Sequence, residues 1–203
     1  MVAVFIVAGG GILYWWSQGY EYIDTPRGGE TVVAFGDSLV AGVGATKDGG
    51  FVSLLSQRLD MQIINAGVPG DTSAYGIARL ERDVLSYEPS IVILLLGGND
   101  AIRRLPVKET FSNLETIIER IHATGAAVLL LGVRGGLLRD SYKKEFRSLA
   151  ERTKVSFVPN VLDDIFANPK NIADPIHPND EGYTLIADRI EPALRSMLEN
   201  TPR

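Results

Sequence analysis

The chain has no cysteine, which excludes disulfides, thiolate metal ligands and a cysteine nucleophile. Histidine is almost as scarce: the 203 residues hold two, His122 and His177. Metal centres built on several imidazoles are excluded with it, and an imidazole base must be one of these two. There is no basic excess either, since 20 Lys and Arg face 25 Asp and Glu for a formal net charge of -5. Such a chain carries no broad positive field for phosphates, so nucleic acid is not an expected partner. Internal repeats and low-complexity tracts are also missing. With 45% hydrophobic and 22% charged residues, what remains is an ordinary globular protein long enough for one full-sized core.

Charge is absent altogether from Met1 to Tyr20. Val2 to Ala8 is strongly apolar, Gly9-Gly10-Gly11 comes next, and Ile12-Leu13-Tyr14-Trp15-Trp16 closes the stretch. As a helix it would be about 30 Å long, enough for a bilayer core, with Tyr14, Trp15 and Trp16 placed as an interfacial belt. Residues 1–20 are therefore expected to be an export signal or a membrane anchor; an apolar first strand or packed terminal helix is the alternative. No Lys or Arg precedes the stretch and no small-x-small site comes after it, a departure from a cleavable signal. Glu21, Asp24 and Glu30 outnumber Arg27, which favours export of the downstream domain. Residues 21–30, with Pro26, Gly28 and Gly29, are expected to be a linker, and residues 31–203 a single domain.

What that domain does contain is an alternation of apolar strands and amphipathic helices. Val32 to Phe35 predicts a buried strand, and Phe51, Leu54, Leu55 and Leu59 predict a helix over about 50–59. Met61 to Ala66 predicts a second strand, and Asp71 or Thr72 can cap a helix ending near Ser86. Ile91 to Leu96 has no polar alternation, as in a central parallel strand covered on both faces. Phe111, Leu114, Ile117, Ile118 and Ile121 form a helical stripe ended by Gly125, with His122 in the last turn, where an imidazole suits the helix dipole. Val128 to Val133 is the fourth strand, Tyr142 to Glu151 a helix, and Lys154 to Pro159 a shorter, more polar edge strand. Asn179 or Asp180 can cap a final helix whose buried stripe is Tyr183, Ile186, Ile190, Leu194 and Leu198. The pattern predicts one doubly wound α/β domain.

In such a sheet the functional groups lie beyond the carboxyl ends of the strands. Gly36-Asp37-Ser38 ends the first strand, Asn65-Ala66-Gly67 the second and Gly97-Gly98-Asn99-Asp100 the third, so all three clusters share one edge. Ser38 is a candidate nucleophile; taken alone, its Gly-Asp-Ser is no more than a polar turn. Cleaving an ester with a serine needs a base, a carboxylate to orient it and donors for the oxyanion. His177, on the loop Asp174-Pro175-Ile176-His177-Pro178, is the histidine placed to serve, and a short loop lets Asp174 hold one ring nitrogen while the other faces Ser38. Position 40 is Val, so the turn is not a Gly-x-Ser-x-Gly elbow.

With Gly36-Asp37-Ser38-Leu39, Gly67, Gly97-Gly98-Asn99-Asp100 and Asp174-Pro175-Ile176-His177-Pro178 in order, the chain resembles the GDSL, or SGNH, hydrolase family. The resemblance implies a three-layer α/β/α, flavodoxin-like fold with a five-stranded parallel sheet in the order 2-1-3-4-5. It implies Ser38 as nucleophile, His177 as general base and then acid, and Asp174 as its orienter. It also implies an oxyanion hole made by the backbone N–H groups of Ser38 and Gly67 and the side-chain amide of Asn99, with no cofactor and no metal. Asp37 is then left to brace the turn. Residues 65–72 and Ala78-Arg79-Leu80 are most similar to the bacterial thioesterase, lysophospholipase and arylesterase branch, which implies a small acyl ester or thioester substrate, lipid included. Ser73-Ala74-Tyr75 and Pro175 depart from its glycine-containing pattern, and Pro175 should stiffen its loop. An O-acetyl esterase of carbohydrate or cell envelope and a non-catalytic envelope-tethered binding module are the alternatives. Leu137 and Leu138 could form an apolar acyl wall or pack inward, and Arg103 and Arg104 could meet an anionic head group or simply be a solvated face.

Overall fold

The computed structural model describes residues 28–133 and 141–201. Residues 1–27, and with them the expected signal or anchor and most of the expected linker, lie outside the described residues, as do Leu137 and Leu138. Among the described residues five strands, β1 Val32–Gly36, β2 Ile63–Gly67, β3 Ile91–Leu95, β4 Ala127–Leu131 and β5 Ser156–Val158, form one sheet in the order β2-β1-β3-β4-β5. Every pairing is parallel. The apolar runs without alternation, β1, β3 and β4, are buried at every position, as strands covered on both faces must be.

Seven α-helices are described with them: α1 Ser38–Ala41, α2 Phe51–Leu59, α3 Ser73–Asp83, α4 Gly98–Ile102, α5 Val107–Ala123, α6 Ser141–Thr153 and α7 Asp180–Glu199. α2 packs with α7, while α5 packs between α3 and α6, giving the expected three layers. The crossover from β1 moves outward to β2, and the next returns past β1 to β3. Right-handed connections that run in opposite directions place their helices on opposite faces, which opens a crevice at the carboxyl end of β1. Ser38 stands in that position.

Several expected boundaries shift for local reasons. α3 stops at Asp83 instead of Ser86; the Ser86 hydroxyl donates to the Arg82 carbonyl, and a 3-10 turn, Leu85–Tyr87, comes next. Its cap is Thr72, which accepts from the Tyr75 N–H, whereas Asp71 turns to Arg79. α7 is capped by Asn179, which accepts from the Gly182 N–H. Leu198 is partly exposed, and Met197 completes the buried stripe. His122 lies in the last turn of α5, at the edge of the sheet opposite Ser38.

Candidate active site

The turn after β1 is built on close approach. A Cβ at Gly36 would overlap the Leu95 carbonyl oxygen, and one at Gly67 would overlap the Ala41 nitrogen. The glycines thus let α1 press onto the ends of β1 and β2, with Gly36 also closed against the Leu95 carbonyl of β3. Asp37 caps α1, its Oδ1 accepting the Leu39 N–H at 3.0 Å. Ser38 is the first helical residue, where a backbone N–H has no partner within the helix. Asp37 is buried, and loss of solvation pushes its carboxyl up to about 6.

His177 faces Ser38 across the crevice, with Nε2 3.0 Å from Ser38 Oγ and Nδ1 2.7 Å from Asp174 Oδ2. The other carboxylate oxygen, Oδ1, accepts the N–H groups of Ile176 at 2.8 Å and His177 at 2.9 Å. The hydrogen bond from His177, then that from the Ile176 N–H, hold Asp174 below the usual carboxylate range. The loop closes on itself, Ala173 N–H donating to His177 O at 3.0 Å, with Ile172 and Pro178 bridged antiparallel. Pro175 is accommodated in this turn with its peptide bonds trans.

Contacts between α7 and the segment after α1 fix the loop against Ser38. Asp180 accepts from the Thr46 N–H and hydroxyl, each at 2.7 Å, and the Tyr183 hydroxyl donates to Val43 O at 2.8 Å. Gly44 has φ +94°, and a Cβ there would overlap Pro178 O and crowd His177 Cβ. None of this was expected from the sequence, where Tyr183 reads only as a core position.

Asn99, the second residue of α4, donates from Nδ2 to Asp71 O at 2.9 Å and more weakly to Asp37 Oδ2 at 3.4 Å. The Gly67 N–H donates to Asn65 Oδ1 at 3.0 Å, while Asn65 Nδ2 donates to Val40 O at 2.8 Å. Gly67 must therefore release or share that bond to hold another oxygen. Ser38, Asn99, Asp174 and His177 line one cleft of about 800 Å³, within the range of small-molecule sites; Gly67 is on the strand end beside it, in register with Gly36.

Much of the cleft's apolar wall is Ile102, Leu162, Phe166, Ile172 and Ile176. Most of these belong to the irregular segment after β5, which has no periodicity to mark it in the sequence. Arg103 and Arg104 do not line the cleft; Arg103 donates to Gly70 O at 2.8 Å. Among the described residues no group of three or more His, Cys, Asp or Glu is placed to hold a metal ion. The arrangement is a hydroxyl, an imidazole and a carboxylate in one hydrogen-bonded chain beside an apolar cleft, which is the equipment for nucleophilic acyl transfer.

Comparison with known proteins agrees. The sequence model of the GDSL-like Lipase/Acylhydrolase family matches residues 34–185. The chain is 31% identical to Esterase TesA of Pseudomonas aeruginosa over 180 residues, 83% of this chain and 90% of that protein. It is 28% identical to Thioesterase 1/protease 1/lysophospholipase L1 of Escherichia coli, over 84% of this chain and 86% of that one. The crystal structure of the esterase EstA from Pseudoalteromonas, inhibited by monoethylphosphonate, superposes with a TM-score of 0.76 at 28% identity, covering 85% of this chain and 100% of that one.

Proposed function

Since the chain belongs to the GDSL-like lipase/acylhydrolase family and is a carboxylic ester hydrolase of the serine type, we propose that Ser38 is its nucleophile, His177 its base and Asp174 the carboxylate that orients His177. The observation that carries this reading is the 3.0 Å approach of His177 Nε2 to Ser38 Oγ. Ser38 Oγ attacks the ester carbonyl as His177 takes its proton; the same imidazole then protonates the leaving group, and water, activated by His177, hydrolyses the acyl-Ser38 ester. Asp174, held anionic, fixes the tautomer and stabilises the imidazolium. The Ser38 and Gly67 N–H groups and Asn99 Nδ2 hold the oxyanion, Gly67 exchanging Asn65 Oδ1 for it. Replacing Ser38 with Ala is expected to lower turnover of p-nitrophenyl esters by about 10⁴-fold or more; turnover near that of the parent would refute the assignment.

The breadth and apolar lining of the cleft support acyl groups longer than acetyl. We further propose that residues 1–20 export or anchor the domain, supported by twenty residues without charge. Among the described residues no helix is long and apolar enough to cross a membrane, so attachment would rest on that segment. Deleting residues 1–20 should release a membrane-bound enzyme into the soluble fraction; an unchanged distribution would refute the anchor.

A further inference from the structure

We propose that Arg79 is a positioning residue for catalysis: one buried guanidinium that sets the strand ends and the loop from which all three oxyanion donors are presented. The inference rests on the reading of Ser38, Gly67 and Asn99 given above, and it concerns a side chain that lies outside the cleft. Arg79 is on α3 and is buried together with Asp71. Its Nη2 donates to Gly36 O at 2.8 Å, and its Nη1 to Ala66 O at 2.9 Å. Gly36 stands two residues before Ser38, and Ala66 immediately before Gly67. Its Nε donates to Asp71 Oδ2, and the backbone carbonyl of the same Asp71 accepts Asn99 Nδ2. The guanidinium carbon lies 4.4 Å from the centroid of the Phe35 ring, and Asp83 takes a further, longer bond at 3.3 Å.

These contacts are more than a core arginine needs. An ion pair with Asp71 alone would satisfy the charge; here two more donors are spent on the carbonyls at the carboxyl ends of β1 and β2, adjacent strands in register at Gly36 and Gly67. Asn99 cannot orient itself, because an amide turns freely about its last torsion unless one hydrogen is committed. Its commitment to Asp71 O ties the amide to a loop that Arg79 holds, and the second hydrogen, which rests more weakly on Asp37 Oδ2 at 3.4 Å, is the one that turns to the oxyanion. The fork of guanidinium donors is planar and rigid, so it can reach carboxylate and carbonyls at once; an ammonium at the same site is a point charge and cannot.

The test compares the parent, Ser38→Ala, Arg79→Lys, Asn99→Ala and the Arg79→Lys/Asn99→Ala double variant, measuring kcat and KM for p-nitrophenyl butyrate and the melting temperature of each. Removing one oxyanion donor costs about 10²-fold or more in kcat. Arg79→Lys is expected to stay folded, to lose about 10²-fold in kcat with KM within about threefold, and to lose at least threefold less than that when Asn99 is already Ala, because both act on the same donor. A kcat within threefold of the parent, or a loss repeated in full in the Asn99→Ala background, would overturn the proposal. If Arg79→Lys does not fold, Asp71→Ala decides: it removes the acceptor of Arg79 Nε while the backbone carbonyl that takes Asn99 Nδ2 remains, and a drop in kcat at constant KM supports the role, while unchanged kcat overturns it. Turnover by Ser38→Ala would instead refute the underlying assignment of the nucleophile, whatever Arg79 does.

Discussion

Asp37 is the residue whose chemistry is least apparent from its place in the motif. Beside Ser38 a carboxylate suggests a catalytic role, yet its Oδ1 caps α1 and its burial leaves it titrating near 6. The folded state therefore holds its proton more tightly than the unfolded chain, whose carboxyl titrates at 3.8. Stability from this group is greatest below about pH 4, falls as pH rises through the window between 3.8 and 6, and is level beyond it, the loss being at most about 3 kcal/mol. Asp37→Asn keeps an oxygen for the Leu39 N–H and has no charge to bury. Denaturant titrations should show the variant gaining on the parent between pH 4 and pH 7; parallel curves across that range would show that Asp37 is not the titrating group. Ser38, Asn99, Asp174 and His177 were legible as candidates because each falls in a short polar cluster, at the end of an apolar strand run or just before the last helix. Arg79 was not, since a basic residue in a helix is ordinarily solvent-facing and only the end-on view of β1 and β2 gives it work.

At the scale of elements, the strands and long helices arise from periodicity. α1 and α4 do not: helices of four or five residues contain barely one turn, too short for a stripe, so their residues look like loop. Both are held by what surrounds them, α1 by the glycines at 36 and 67 and α4 by Asp100, which is buried and accepts from the Ser73 N–H at 2.9 Å and its hydroxyl at 2.6 Å. The docking of the His177 loop was equally invisible, because Gly44, Asp180 and Tyr183 meet only after α7 has packed back along α2. That docking is testable at Gly44. Alanine there must adopt a positive φ and displace Pro178, and it is expected to destabilise the fold by about 2 kcal/mol and to lower kcat by about tenfold or more through the retreat of His177 from Ser38. A variant with parent-like kcat would show that the loop keeps its place without this contact.

For the whole molecule, the doubly wound class and the gathering of reactive residues at one edge were predictable from the alternation of apolar strands and helices, whereas the order β2-β1-β3-β4-β5 was implied by the family resemblance, since alternation alone leaves several orders open. The cleft's shape was not predictable, because most of its wall comes from the segment between β5 and the Asp174 loop, where neither period nor motif constrains the chain. The cleft's volume and its Leu162, Phe166, Ile172 and Ile176 wall predict that kcat/KM for p-nitrophenyl esters rises from acetyl to hexanoyl or octanoyl by about tenfold or more, since each buried methylene contributes about 0.8 kcal/mol at most. A maximum at acetyl would favour an O-acetyl esterase instead.

The claim on which the rest depends is that Ser38, activated by His177, is the group that becomes acylated. Incubation with a fluorophosphonate, then peptide mass spectrometry, tests it most directly. One adduct, on Ser38, formed together with loss of esterase activity and strongly slowed by His177→Ala, is the predicted result; an unlabelled Ser38, or full activity after it has been labelled, would contradict it.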